Sequence, residues 1–271
     1  MQVLTGFFNP IRKVAPTGRP AALPLDLGGT RPICPDMDPM KSILVFCAAV
    51  AFALSPFLSP GFNGFAPDQF PIPQVDPPAQ PAGYAFAIWG LIYLALIAGT
   101  GYGLFMRPRD EGWDWHRWPL IVSLVIGAAW LPVAQTSPFW ATVLIWLMLF
   151  TAIVALMRAS PADRLWQRMP VALYAGWLTA ASAVALALML AGHGLLGGTT
   201  AAVLCLGLGL VIASVVQRLR PDTPEYSAAV IWALVGVALS NTDPLNIAVL
   251  GLSLAGIAAL ALTAWRGMSE G

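Results

Sequence analysis

Eight stretches of this 271-residue chain contain no Asp, Glu, Lys, Arg or His: residues 42–58, 82–106, 118–135, 139–157, 169–191, 199–216, 226–240 and 245–265. An uncharged apolar run of about 17–25 residues is what a helix needs to cross the hydrocarbon core of a bilayer. Such a helix also satisfies all its backbone amides internally, as lipid requires. The runs are continuous rather than alternating, which selects spanning helices over the strands of a barrel. Composition agrees, with 58% hydrophobic and 10% charged residues, far from a soluble domain. The chain therefore predicts an all-α polytopic membrane protein with eight spans. The seventh, 226–240, is the shortest, because Asn241 and Asp243 end it early.

The charges between the runs test that count. Eight spans put the segments before span one and after spans two, four, six and eight on one side. Arg12, Lys13, Arg19, Arg31 and Lys41 precede span one. Arg107, Arg109 and Arg117 follow span two, Arg158, Arg164 and Arg168 follow span four, Arg218 and Arg220 follow span six, and Arg266 follows span eight. All 14 basic residues thus share one side, while the other holds only the acidic residues Asp68, Asp76 and Asp243. A span missed or invented in mid-chain would scramble this pattern. The positive-inside rule then places both termini in the cytoplasm.

Residues 1–40 are rich in Pro and Gly and show no period. They predict a disordered leader, or a true start at Met37 or Met40. A cleaved signal peptide over 42–58 is the alternative to a retained first span. Trp113, Trp115, Trp118, Trp166 and Trp265 cluster at the basic ends of the spans and are expected to anchor at headgroup level, with Trp140 on the opposite side. Cys34, Cys47 and Cys205 have no metal-ligand or CxxC spacing and read as small apolar filler. Gly99 and Gly103 form a GxxxG pair that would admit a close helix neighbour.

No span carries an ionisable residue at mid-depth, the device that ion-coupled transporters and proton pumps use. His116 and His193 fall in loops on opposite sides, where they are expected to be solvated and cannot share a metal or haem. With no nucleophile–base set, paired carboxylates or phosphate-binding loop at a plausible site, acid–base and nucleophilic catalysis are disfavoured. A net charge of +1 offers nothing to nucleic acid or an acidic partner. What remains is aromatic, hydroxyl and amide chemistry inside the bundle.

That chemistry is concentrated in three places. Phe86, Trp89 and Tyr93 stand at i, i+3 and i+7 where an uncharged Pro-rich loop runs into span two, so they make one aromatic stripe. Span three carries Trp130 followed by Pro132, which should bend the helix and free a carbonyl. Span five carries Tyr174 and Trp177, then the small residues Thr179, Ala180, Ala181 and Ser182. Spacing alone leaves two outcomes open, a helix-packing seam or a recess for a flat apolar ligand.

These residues resemble the tryptophan-rich sensory proteins, the TspO/MBR or translocator protein family. Its Phe-x-x-Val-Trp-x-x-Leu-Tyr motif is similar to Phe86-Ala-Ile-Trp89-Gly-Leu-Ile-Tyr93, one residue shorter between Phe and Trp and reached from Pro77-Pro78 and Pro81. Its Asn-x-x-Trp-x-Pro matches Gly127-Ala-Ala-Trp130-Leu-Pro132, with Gly127 in place of Asn. Its Pro-Tyr-x-x-Trp-x-Ser/Thr-x-Ala pattern matches Tyr174 to Ala181, with Ala185 where the family ends in Asn. The first outer loop carries Phe62, Phe65 and Phe70 instead of the family's tryptophans.

The resemblance covers about residues 41–192. It implies a five-helix bundle there, a longer and divergent branch with a further three-helix membrane segment over 193–271, and a bacterial cytoplasmic membrane as the location. It further implies an outward-facing pocket for porphyrins or other flat apolar molecules, a link to tetrapyrrole or pigment metabolism, and frequent dimerisation. The pocket walls carried over are Phe86, Trp89, Tyr93, Trp130, Tyr174 and Trp177. The positions of Trp89 and Trp177 are those to which light-dependent porphyrin breakdown has been attributed. No obligatory cofactor is implied, only a bound tetrapyrrole. The missing amides at Gly127 and Ala185 make the expected pocket more apolar. Two other functions compete with ligand binding: transport of a hydrophobic solute along a path completed by spans six to eight, and an accessory role in a larger membrane complex docked through them.

Overall fold

The computed structural model of the protein describes residues 39–58 and 64–269; the leader, Cys34 and Phe62 lie outside these residues. Eight helices are α1 Met40–Leu58, α2 Ile88–Met106, α3 Glu111–Thr136, α4 Pro138–Arg158, α5 Met169–Gly192, α6 Gly198–Leu219, α7 Pro224–Ser240 and α8 Ile247–Ser269. A 3-10 turn, Gly83–Ala87, leads into α2, and a π turn, Arg164–Arg168, leads into α5. Seven of the helices are long and apolar enough to cross a membrane. The chain is an integral membrane protein of the all-α class, with no strand among the described residues.

The exception is α7, whose 17 residues give a length of about 25 Å at 1.5 Å per residue. It nevertheless reaches both ends of the bundle. Just before its first turn Asp222 pairs with Arg168, and within that turn Glu225 takes Arg164 at 2.6 Å. Past its last turn Asn241 Nδ2 donates to Pro78 O at 2.8 Å in the first outer loop. The hub of the bundle is α5, the most buried helix, which packs against α2, α4, α6 and α7. The described residues belong to one compact unit.

The basic end is held by arginines that cap neighbouring helices. The last carbonyls of a helix have no partner within it. Arg117 on α3 donates to Gly103 O, Arg107 O and Pro108 O at the end of α2. Arg220 donates to Leu156 O (2.6 Å), Met157 O (3.1 Å) and Ala159 O (3.2 Å) at the end of α4. Asp163 accepts from Arg107 Nε at 3.0 Å and from Trp113 Nε1 at 2.8 Å. The hydrogen bond from Arg107 holds the Asp163 carboxyl below its ordinary range, helped by the indole and opposed by burial.

Three expectations are corrected at this end, for one reason. Helix α3 begins at Glu111, seven residues before the apolar run, because the Asp110 carboxylate caps Trp113 N at 3.2 Å. His116 is therefore helical and buried, its Nδ1 against Gln167 Nε2 at 2.7 Å, and is not a solvated loop residue. Trp113 is buried on Asp163 and does not anchor at headgroup level; Trp115, Trp118, Trp140, Trp166 and Trp265 are exposed as that role requires. The Gly99/Gly103 pair admits close neighbours, as its spacing predicts, from the π turn and from α3. A Cβ on Gly99 would lie 2.3 Å from Trp166 O, and one on Gly103 would lie 2.4 Å from the Trp113 ring. His193 is exposed as expected. Cys47 and Cys205 are free.

Candidate functional site

The opposite end is organised by the first outer loop, which is tied to three helices. Gln69 Nε2 donates to Ala134 O and Gln135 O at the end of α3, at 3.0 and 2.9 Å. Ile72 N donates to Gly192 O at the end of α5, at 2.9 Å. Helix α7 supplies the rest: Ser240 Oγ donates to Gln80 O at 2.8 Å, and Trp232 Nε1 to Ala85 O at 2.8 Å. In return Ala82 N donates to Gly236 O at 3.1 Å. The loop is fixed in this way, and the 3-10 turn delivers Phe86 and then Trp89 into the bundle.

There the rings meet. Trp89 and Tyr93 stack, with centroids 5.5 Å apart. Trp177 meets both Phe86 and Trp89 edge-on at 6.0 Å. Phe52 on α1 meets Trp89, Tyr93 and Tyr174 edge-on at 5.7, 5.1 and 5.7 Å. Edge-to-face contacts at these distances are favourable ring geometry.

Two recesses share this cluster as a common wall. The first is a narrow cleft with about 50 Å³ of free space. It runs along one face of α5, where Trp177, Ala180, Ala181, Val184, Ala185 and Leu188 recur at helical spacing. Phe86, Trp89, Trp130, Ile145 and Ala233 close it, and Gln80 stands with Gly64 and Phe65 at its mouth. The second, with about 340 Å³ of free space, lies between Phe52, Ser55 and Pro56 of α1 and the wall formed by Tyr84, Phe86, Trp89, Tyr93 and Trp130.

Of the six residues expected to wall a pocket, Phe86, Trp89 and Trp130 line both recesses, Tyr93 the second and Trp177 the first. Tyr174 lines neither. It lies one turn below Trp177, fully buried, and its hydroxyl is held at 2.9 Å by Ser123, which itself donates to Met148 O. Thr179 and Ser182 are likewise turned into helix contacts, against Tyr226 (2.7 Å) and Ile145 O (3.3 Å). Both outcomes left open by the spacing therefore occur on α5, a seam on one face and a recess on the next.

The departures at 127 and 185 have distinct physical reasons. A Cβ on Gly127 would stand 2.7 Å from Phe52 Cε2, so the ring of Phe52 fills the space that a side chain there would use. Ala185 lines the first recess and leaves its wall without an amide. Phe52 and Ala233 carry no local sequence signal, being single residues in apolar runs. The Val184 and Leu188 positions could have been found by extending the i+3, i+4 stripe from Trp177.

Indole hydrogens mark the electrostatics of the site. Trp130 Nε1 donates to Ala141 O at 2.8 Å, whereas Trp177 Nε1 is buried and has no acceptor among the described residues. Among the described residues no group of His, Cys, Asp and Glu could hold a metal. A family model described as TSPO-like protein matches residues 72–264, more than half of the chain, taking in α6–α8 as well as α2–α5. No curated protein and no solved structure matches.

Proposed function

Because the chain belongs to the TSPO-like protein family, we propose that it is a non-enzymatic membrane receptor that holds a flat apolar ligand, a tetrapyrrole or a molecule of similar shape, in the aromatic end of the bundle. The observation that carries this reading is the aromatic wall of Phe86, Trp89 and Trp130 shared by the two recesses, the second of which has about 340 Å³ of free space. Pockets that bury a small ligand are of this size, mainly apolar, with few polar groups. Large rings stack on a flat ligand with little loss of side-chain freedom. Helix α7 belongs to the site, since it contributes Ala233 to the wall and pins the loop that forms the mouth.

The test is a titration with a porphyrin dimethyl ester in detergent, followed both by quenching of tryptophan emission and by the porphyrin absorption band. The wild type is expected to saturate. A Trp89→Ala, Trp177→Ala double variant is expected to lose about 30-fold or more in affinity if each ring contributes about 1–2 kcal/mol. Equal saturable binding by the two proteins would place the ligand elsewhere.

A further inference from the structure

We propose that Trp232, on α7, is a positioning residue of the aromatic site: it lines neither recess, and through Ala85 it sets where the rings of Phe86 and Trp89 stand. The inference rests on the reading that the aromatic end holds a ligand, and it assigns part of that ligand's affinity to a side chain outside the ring cluster.

The turn Gly83–Ala87 passes the chain from the first outer loop to α2 and carries Phe86, and Trp89 follows as the second residue of α2. Both rings line both recesses, and Gly83, Tyr84 and Ala87 line the second. A shift of this turn therefore moves the walls. Its own sequence, Gly-Tyr-Ala-Phe-Ala, does little to fix it. Ala82, just before it, has no side-chain oxygen to cap it, and its one hydroxyl belongs to Tyr84, an exposed residue.

Helix α7 supplies the anchor. Trp232 Nε1 donates to Ala85 O at 2.8 Å, and the Trp232 and Tyr84 rings meet edge-on at 5.6 Å. One turn along α7, Gly236 O accepts from Ala82 N at 3.1 Å, and a Cβ on Gly236 would lie 2.9 Å from the Cβ atoms of Ala85 and Pro81. The chain is thus gripped at 82 and at 85, immediately before the first ring. An indole nitrogen can only donate, and lipid hydrocarbon offers it no acceptor, so Trp232 is held to this one carbonyl. Ala85 O also accepts from Ile88 N, and Trp232 is 39% exposed. Loss of the indole N–H therefore frees the turn without emptying the core or orphaning the carbonyl.

The experiment titrates the detergent-solubilised full chain with a porphyrin dimethyl ester, followed by the porphyrin absorption band, which the loss of a tryptophan does not itself alter. Circular dichroism induced in that band at saturation reports how the rings stand around the ligand. Trp232→Phe, which keeps a ring against Tyr84 and removes the donor, is expected to bind about tenfold more weakly, the value of about one ring contact. Its induced dichroism should change, and its thermal unfolding should stay close to that of wild type. Gly236→Ala displaces the same turn with every tryptophan in place and should reproduce both effects. Adding Ala85→Gly, which removes one of the two groups that the new Cβ meets, should recover part of the loss. Trp265→Phe, at the opposite end of the bundle, should change nothing. Wild-type affinity and dichroism in Trp232→Phe and Gly236→Ala overturn the inference and leave the binding function standing. Weaker binding that merely follows a lower unfolding temperature, with the dichroism at saturation unchanged, also overturns it. If the wild type does not bind the ester, the binding function falls and the inference with it.

Discussion

Trp113 at the basic end and Trp177 at the aromatic end are buried alike, 3% and 2% exposed, yet they are used in opposite ways. The N–H of Trp113 is spent on Asp163, inside a network where guanidinium groups close the ends of neighbouring helices. The N–H of Trp177 is buried and has no acceptor among the described residues. One end is polar and tied by ion pairs and guanidinium–carbonyl hydrogen bonds. The other is apolar, joined by ring contacts, and has room left over. Guanidinium groups thus tie the helices at the basic end, and the open space lies beside the rings at the other.

The sharpest way to break this contrast is Arg220→Met, which keeps much of the side-chain volume and leaves the last carbonyls of α4 without their donor. Removing one partner from a buried hydrogen-bonded set costs about 3 kcal/mol or more. Thermal unfolding in detergent should show that loss, with porphyrin-ester affinity at permissive temperature unchanged. A smaller effect separates the two tryptophans. Trp113→Phe and Trp177→Phe remove similar volume, but only the first breaks a hydrogen bond to a carboxylate, so its destabilisation should exceed the other's by about 2 kcal/mol. Equal losses in denaturant titration would show that the basic-end network contributes no more than packing.

The smallest effect is the dependence on pH. Asp163 has its carboxyl pKa lowered in the fold, chiefly by Arg107. Its contribution is complete above the unfolded carboxylate value of about 4 and is lost as the pH falls through the folded value. Arg107→Gln should therefore be less stable than wild type at pH 7, and the gap should close as the pH is lowered below about 4. A gap that stays constant down to pH 2 would remove Asp163 from the network.

The two ends also differ in how much of them the sequence discloses. The spans were legible because charge is excluded from them and basic residues gather on one side, both of which follow from the bilayer. Even α7, too short by length alone, was marked by its flanking charges. The start of α3 was hidden because its first two turns, Glu111 to Trp118, are polar and charged, and only the Asp110 cap reveals them as helix. In the site, Phe86, Trp89, Trp130 and Trp177 were visible as rings at helical spacing. Tyr174 shared that spacing and points to Ser123 instead, since period alone cannot tell the turn that faces the recess from the turn beneath it. Phe52 and Ala233 were invisible, because what makes them walls is the packing of α1 and α7, which no local pattern records.

The contact of Phe52 with Gly127 has a consequence for how such a chain can diverge. The ring at 52 and any side chain at 127 compete for one volume, so each position sets what the other can be. An amide can return to 127 only when 52 is first reduced to a small residue, and a large residue can be kept at 52 only while 127 stays glycine. Gly127→Asn should be poorly tolerated by itself and rescued by Phe52→Ala, a pair of changes whose combined effect is far from the sum of the two. Sequence drift at this point of the bundle is thus a paired substitution, reached through an intermediate with a hole rather than one with a clash.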